Sequence, residues 1–147
     1  MNENLPGAIL FICSENAIRS PMAEALYKQT FKDRSYVQSA GVRRGQPNPF
    51  MISVMAENNI DLSHHHPRTL SEIQDSLFDI IISLSPEAHH QAIELTRTMA
   101  VEVEYWPTMD PTLIEGNREQ QLQAFRNCRN TLENRIRERF TRENQGS

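Results

Sequence analysis

Cysteine is scarce in this 147-residue chain: Cys13 and Cys128 are the only two. That is too few for a disulfide framework and suits a reducing compartment. Long apolar runs are absent too. Nothing approaches the roughly 20 residues that a membrane helix needs. The opening "MNENLPGAILFIC" lacks the basic start and small-residue cleavage site of a secretory signal. A cytoplasmic location with no membrane partner is therefore expected. Positive charge is not in excess either, since the net charge is −4 with five histidines counted neutral. No broad basic face for nucleic acid is implied. There is no internal repeat, low-complexity stretch or linker. With 38% hydrophobic and 23% charged residues, the expectation is one globular domain over residues 1–147, with its core at about 7–140.

What is present alternates between strand and helix signals. "AILFI" (8–12) is a short continuous apolar run, suited to a strand covered on both faces. "SPMAEALYKQTFKD" reads as a helix with Ser20 as N-cap and Pro21 as its first residue. "YVQSAGV" (36–42) is a second strand. "PFMISVMAENNI" (49–60) is a helix with Phe50, Met51, Val54 and Met55 toward one face. "FDIIISLS" (78–85) is the clearest buried strand, "PEAHHQAIELTRTMA" (86–100) a further helix, and "VEVEYW" (101–106) a fourth strand. A final helix is expected from about Arg118 to Arg142. Its stripe of Leu122, Phe125, Cys128, Leu132, Ile136 and Phe140 is spaced by three or four residues. The tail "TRENQGS" is expected to fray. The alternation predicts an α/β fold: a four-stranded parallel sheet with helices on both faces, a flavodoxin-like three-layer sandwich.

Such folds bind ligands beyond the carboxyl ends of their strands. Cys13 sits there, and Ser14, Glu15, Asn16, Ala17 and Ile18 separate it from Arg19, giving C-x5-R followed by Ser20. A loop of that length running into a helix can turn several backbone N–H groups toward one anion, with the helix N-terminus behind them. Arg19 can close the site with two parallel hydrogen bonds to an oxyanion. The same field favours a thiolate and so a nucleophile, and the Ser20 hydroxyl can donate to it. C-x5-R by itself is a weak signal, and buried cysteines at strand ends are common. The strand, loop and proline-led helix around it are what favour an anion site.

Transfer of a phosphoryl group to a thiolate also needs an acid for the leaving oxygen. "WPTMDPTL" offers Asp110 in the loop after the fourth strand, and its neighbours Trp106, Met109 and Leu113 can shield the carboxyl from water. An Asp-Pro turn is otherwise unremarkable. The histidines at 64–66 and 89–90 have no ligand spacing around them, so no metal and no cofactor are expected. Arg43 and Arg44 follow the second strand, either at the pocket mouth or as a plain surface pair.

"FICSENAIRSPMAEAL", "SAG" at 39–41, the "LS-H" and "PR-L" pieces of the middle loop and "DP" at 110–111 together resemble the low-molecular-weight protein tyrosine phosphatase family, which includes the thioredoxin-coupled arsenate reductases. The resemblance covers about residues 7 to 140. It implies Cys13 as nucleophile, Arg19 as phosphate-binding arginine, Asn16 and Ser20 as loop-ordering residues and Asp110 as general acid. The partner it implies is a phosphorylated substrate, a phosphoprotein or small aryl phosphate, or another tetrahedral oxyanion. Three departures stand out. Where the family usually has glycine two residues after the nucleophile, this chain has Glu15, whose side chain is expected to point outward. Ile18 replaces the guarding cysteine of the eukaryotic enzymes. Thr112 and Leu113 follow the acid where tyrosines often flank an aromatic substrate. Arsenate reduction in the thioredoxin-coupled branch uses two further cysteines, and only Cys128 remains, in the apolar stripe of the last helix. A scheme with an external thiol, and a non-catalytic oxyanion-binding or regulatory module, are the alternatives to a phosphatase.

Overall fold

The computed structural model describes residues 5–73 and 77–141. Four strands, β1 (Ala8–Cys13), β2 (Tyr36–Gly41), β3 (Ile80–Ser83) and β4 (Glu102–Tyr105), form one parallel sheet in the order β2-β1-β3-β4. Helices α1 (Arg19–Phe31), α2 (Pro49–Ala56), α3 (Pro86–Leu95) and α4 (Arg118–Ile136) alternate with them, as the apolar runs predict. β1 lies at the centre because it must be covered on both faces, and its residues from Ile9 onward are all buried. Its two faces feed two cores. Ile9, Phe11 and Cys13 point into the larger one, shared with α1, α2 and α4. Leu10 and Ile12 point into the smaller one, capped by Ala88 and Ala92 of α3. Alternate residues of one strand thus separate the two layers of helices.

The expected stripe of the last helix is buried in full, from Leu122 to Phe140. Phe140 lies in a π-helical turn, Arg137–Thr141, that extends α4 and packs edge-on against Tyr27 at 5.1 Å. The expected fraying of the tail concerns residues largely outside those described.

Several boundaries differ from the sequence expectation, each for a local reason. α2 stops at Ala56 rather than Ile60 because the chain turns back through Asn59 at φ 63°, and the Ile60 N–H closes on the Met55 carbonyl at 3.1 Å. α3 stops at Leu95 rather than Ala100, where the Thr96 hydroxyl competes for the Ile93 carbonyl at 2.6 Å. β3 is shorter than 78–85 because Ser85 caps α3, accepting from the Ala88 N–H. Ser20 is not an N-cap. Arg19 already opens α1, and the Ser20 hydroxyl bonds elsewhere. Pro21 falls third in the helix, still within the turn whose N–H groups have no intrahelical partner.

Candidate active site

β1 and β3 are neighbours although β2 follows β1 in the chain, so the crossovers on either side of β1 diverge at the carboxyl end of the sheet. That divergence leaves a crevice, and the loop from Cys13 to α1 fills its floor. A cavity of about 190 Å³ opens above it, lined by Cys13, Ser14, Glu15, Ala17, Ile18, Arg19, Arg43, Asp110 and Thr112. The loop and the acid picked out from the sequence are thus brought to one pocket.

The loop is held by its carbonyls. Cys13, Ser14 and Glu15 accept from the N–H groups of Val42, Arg43 and Gly45 at 3.1, 2.9 and 2.9 Å. The Asn16 carbonyl bonds the His65 ring at 2.8 Å. A peptide unit is planar, so a carbonyl anchored outward turns the next residue's N–H the opposite way. The amides of Ser14, Glu15, Asn16 and Ala17 therefore share the inner side. The Asn16 N–H demonstrates the sense, reaching Cys13 Sγ at 3.3 Å. Inward-facing consecutive amides form a concavity that binds anions.

Asn16 makes this curvature possible. It adopts φ 57°, a left-handed conformation that asparagine tolerates better than most residues. Fully buried, it satisfies its side chain completely: Nδ2 donates to Ser20 Oγ at 2.8 Å and Ser39 Oγ at 3.0 Å, while Oδ1 accepts from the Arg68 N–H at 3.0 Å. Ser39 passes the network on to Glu24, its hydroxyl donating to Oε1 at 2.6 Å. Ser20 receives from Asn16, and its hydroxyl lies 2.9 Å from Cys13 Sγ and 3.4 Å from the Ala40 carbonyl, so it can donate to either. The Ser20 hydroxyl and the Asn16 N–H thus converge on a cysteine that is 2% exposed.

Arg19 donates to the Thr108 carbonyl at 2.8 Å and ties the loop after β1 to the segment bearing Asp110. Asp110 caps a short 3-10 turn, Pro111–Leu113, accepting from the Thr112 N–H at 2.9 Å and hydroxyl at 2.7 Å through the same oxygen, Oδ1. The apolar shielding expected for this carboxyl does not occur. Met109 and Leu113 are each 71% exposed, and Trp106 turns into the core beside Phe11. A flat ring buries more apolar area there than at a loop tip, and this decides its direction. Glu15 points outward as expected, its side chain half exposed. Its backbone is not among the left-handed residues, so glutamate imposes no strain at this position.

A match to the family model of the low molecular weight phosphotyrosine protein phosphatases spans residues 8–145. The chain belongs to that family. Among curated relatives, the arsenate reductase of Bacillus subtilis is 32% identical over 134 residues, covering 88% of this chain and 92% of that protein. An arsenate reductase solved in its phosphate-binding state is 26% identical, with TM-score 0.70 over 92% of this chain and 97% of that one. The YwlE arginine phosphatase of Geobacillus stearothermophilus shares the fold at TM-score 0.77 and 21% identity, over 96% and 95% of the two chains. Membership makes the chain an enzyme of the cysteine-phosphatase type.

Four site-building residues were given no role by the sequence, although Gly41, His65 and Arg68 fall within the pieces that carry the family resemblance. His65, one of the histidines without ligand spacing, anchors Asn16 through its carbonyl. Arg68 orders the asparagine from its backbone and the Ser39 carbonyl from its side chain, at 3.2 Å. Thr108 receives Arg19. Gly41 gives the loop room: a Cβ there would lie 2.7 Å from Asn16 N and from the Glu15 carbonyl carbon. Among the described residues no group of histidines, cysteines and carboxylates is placed to hold a metal, and no helix is long and apolar enough to cross a membrane.

Proposed function

We propose that the protein hydrolyses phosphomonoesters through a phosphocysteine, with aryl phosphates and phosphotyrosine as the substrate type. The observation that carries this reading is the convergence of Ser20 Oγ and the Asn16 N–H on Cys13 Sγ, at the floor of a pocket that Arg19 and Asp110 also line. Hydrogen bonds to sulfur favour the thiolate over the thiol. The thiolate attacks phosphorus, the S–P bond forms and the P–O bond to the leaving group breaks. Inward amides and the Arg19 fork hold the equatorial oxygens as their charge redistributes. Asp110, with Oδ1 occupied by Thr112, delivers its proton from Oδ2 to the leaving oxygen. Water then attacks the phosphocysteine, Asp110 takes its proton, and the S–P bond breaks to release phosphate and the thiolate. The phosphate-bound state of the related arsenate reductase supports a tetrahedral oxyanion as ligand here.

A second reading is favoured by the names of the curated relatives: arsenate reduction. Cys13 would bind arsenate, and the two electrons that convert As(V) to As(III) would come from Cys13 and an external thiol such as glutathione, which end as a disulfide. An internal relay is disfavoured by Cys128. It is buried in α4, and burial pushes its thiol up to about 12. Less than about a thousandth is then thiolate at neutral pH. The deciding experiment is hydrolysis of a chromogenic aryl phosphate in reducing buffer with chelator, by the protein and by Cys13→Ser. Turnover that vanishes in the variant while inorganic phosphate still binds is expected. Equal turnover in both overturns the proposal, and glutathione-dependent arsenite formation without ester hydrolysis favours the second reading.

A further inference from the structure

The phosphate pocket has an acidic rim. Glu15 lines it from within the nucleophile loop, with its side chain about half exposed. The cation beside it, Arg43, is committed elsewhere. Its NH1 donates to Glu87 at 2.6 Å, whereas its Nε stands 3.7 Å from Glu15, beyond hydrogen-bond length. Burial does not account for this arrangement, because both Arg43 and Glu87 are about half exposed. Glu87 lies in the first turn of α3, and the N-cap of that helix, Ser85, bonds Ser14 of the loop at 3.0 Å. The contact between α3 and the loop thus sets Arg43 toward Glu87. Two carboxylates share one guanidinium, and the less compensated of them is the one inside the pocket lining. A second nearby cation, Arg44, is engaged by Glu72.

We propose that Glu15 selects among phosphorylated substrates, favouring those that carry a cationic group next to the phosphoryl-bearing residue. The substrate class is a phosphotyrosine segment with lysine or arginine beside the phosphorylated position. This rests on the phosphomonoesterase reading and deepens it. A dianionic phosphate entering the pocket meets the amides and Arg19, while the flanking residue of the segment stays at the mouth, where Glu15 offers an acceptor with free valence. An acidic flank there meets like charge. The effect is one of the rim: Glu15 acts on the part of the substrate that does not react, so it shifts binding rather than the chemical step.

The size follows from Coulomb's law. Unit charges about 4 Å apart in bulk-like solvent interact by an amount that changes binding about fivefold. At about 1 M salt the screening length falls to about 3 Å and the preference should nearly vanish.

The test uses peptides bearing a non-hydrolysable phosphonate analogue of phosphotyrosine, one with flanking lysines and one with flanking glutamines. Their dissociation constants are measured calorimetrically on the full chain, so the result does not depend on turnover. The lysine peptide should bind about fivefold tighter at low salt. In Glu15→Gln that ratio should collapse to about one, and in Arg43→Ala it should grow, since both carboxylates lose their competing cation. Equal binding of the two peptides to the wild type, or a ratio unmoved in Glu15→Gln, overturns the proposal. So does failure of both peptides to bind while inorganic phosphate binds. Failure of the phosphomonoesterase reading is seen separately, as absent aryl phosphate turnover with the peptide ratio intact.

Discussion

Replacing Gly41 by alanine should damage the phosphate pocket without touching any group that reacts. Gly41 ends β2 and needs no left-handed backbone; its requirement is one of space. The added Cβ would stand 2.7 Å from the Arg43 carbonyl oxygen, 2.7 Å from Asn16 N and 2.7 Å from the Glu15 carbonyl carbon. All three are backbone atoms, so no side chain can rotate away. Restoring ordinary contact moves the loop by about 1 Å, and overpacking of this kind costs about 1–3 kcal/mol. In a domain of this size that lowers Tm by roughly 3–10 °C. The larger effect is functional. The Asn16 N–H shifts relative to Cys13 Sγ, and a misplacement of about 1 Å costs about a hundredfold in rate. Thermal melts, phosphate inhibition constants and kcat/KM for an aryl phosphate read these together. Gly45→Ala presses the same loop from a second point, because there the new Cβ meets Glu15 Cβ at 2.8 Å, which is fixed to the backbone, as well as the movable Oε1 at 2.9 Å. Normal kcat/KM and normal Tm in Gly41→Ala would refute the view that the loop is pressed against β2.

Asp110→Asn should lower kcat by about 10²- to 10³-fold for esters with poor leaving groups and by much less for good ones; equal losses across a leaving-group series would remove Asp110 as the acid. Asn16→Ala strands the Arg68 N–H, takes one donor from each of the Ser20 and Ser39 hydroxyls, and places alanine in a left-handed conformation. A loss of about 2–4 kcal/mol in denaturant unfolding is expected, and a loss below about 0.5 kcal/mol would contradict the network. For Cys128, the folded thiol titrates near 12 against an ordinary value near 9. Between these pH values the unfolded chain releases the proton and the folded chain keeps it, so stability falls as pH rises, by up to about 1.4 kcal/mol per unit. Burial raises the Tyr27 phenol and acts in the same sense. Cys128→Ala should flatten the alkaline limb of a stability–pH curve relative to wild type, whatever it does to stability at pH 7.

Element types were legible because each rests on a pattern inside one segment: the apolar run of β1, the prolines opening α2 and α3, the stripe of α4. The loop at the pocket floor was legible for the same reason, since Cys13 to Ser20 is one contiguous stretch. Its supports were not. They come from 49 residues away for His65 and 52 for Arg68; both lie in pieces that carry the family resemblance, but each contact pairs a side chain with a backbone atom, so the sequence does not say what they touch. Ser20 shows the limit from another direction. A serine before proline at a helix start fits a cap, which accepts through its oxygen, and also fits a donor to the thiol. The helix beginning one residue earlier, at Arg19, excludes the cap, and only the fold puts Cys13 Sγ 2.9 Å away. Asp110 failed in its surroundings rather than its place: apolar neighbours in sequence cover a carboxyl only if the loop folds over it, and Met109 and Leu113 project away.

The connection from Arg19 to the Thr108 carbonyl bears on how the proposed acid, Asp110, and the proposed nucleophile, Cys13, stay in register. The two lie on separate loops, after β1 and after β4, at opposite sides of β3. On the sheet side the loop bearing Asp110 is held at Thr108, whose N–H bonds the Leu84 carbonyl at 3.1 Å. Arg19 starts α1, so its backbone is fixed to the nucleophile loop, while its guanidinium fastens the segment two residues before Asp110. From behind, Arg135 of α4 donates to the Pro107 carbonyl at 3.0 Å. The acid loop is thereby clamped between α1 and α4, helices that pack directly on each other. An arginine that only bound phosphate would leave the Asp110 segment tied to α4 and the sheet but not to the loop of Cys13. One that also reads the Thr108 carbonyl makes the spacing between Cys13 and Asp110 a property of the helix pair.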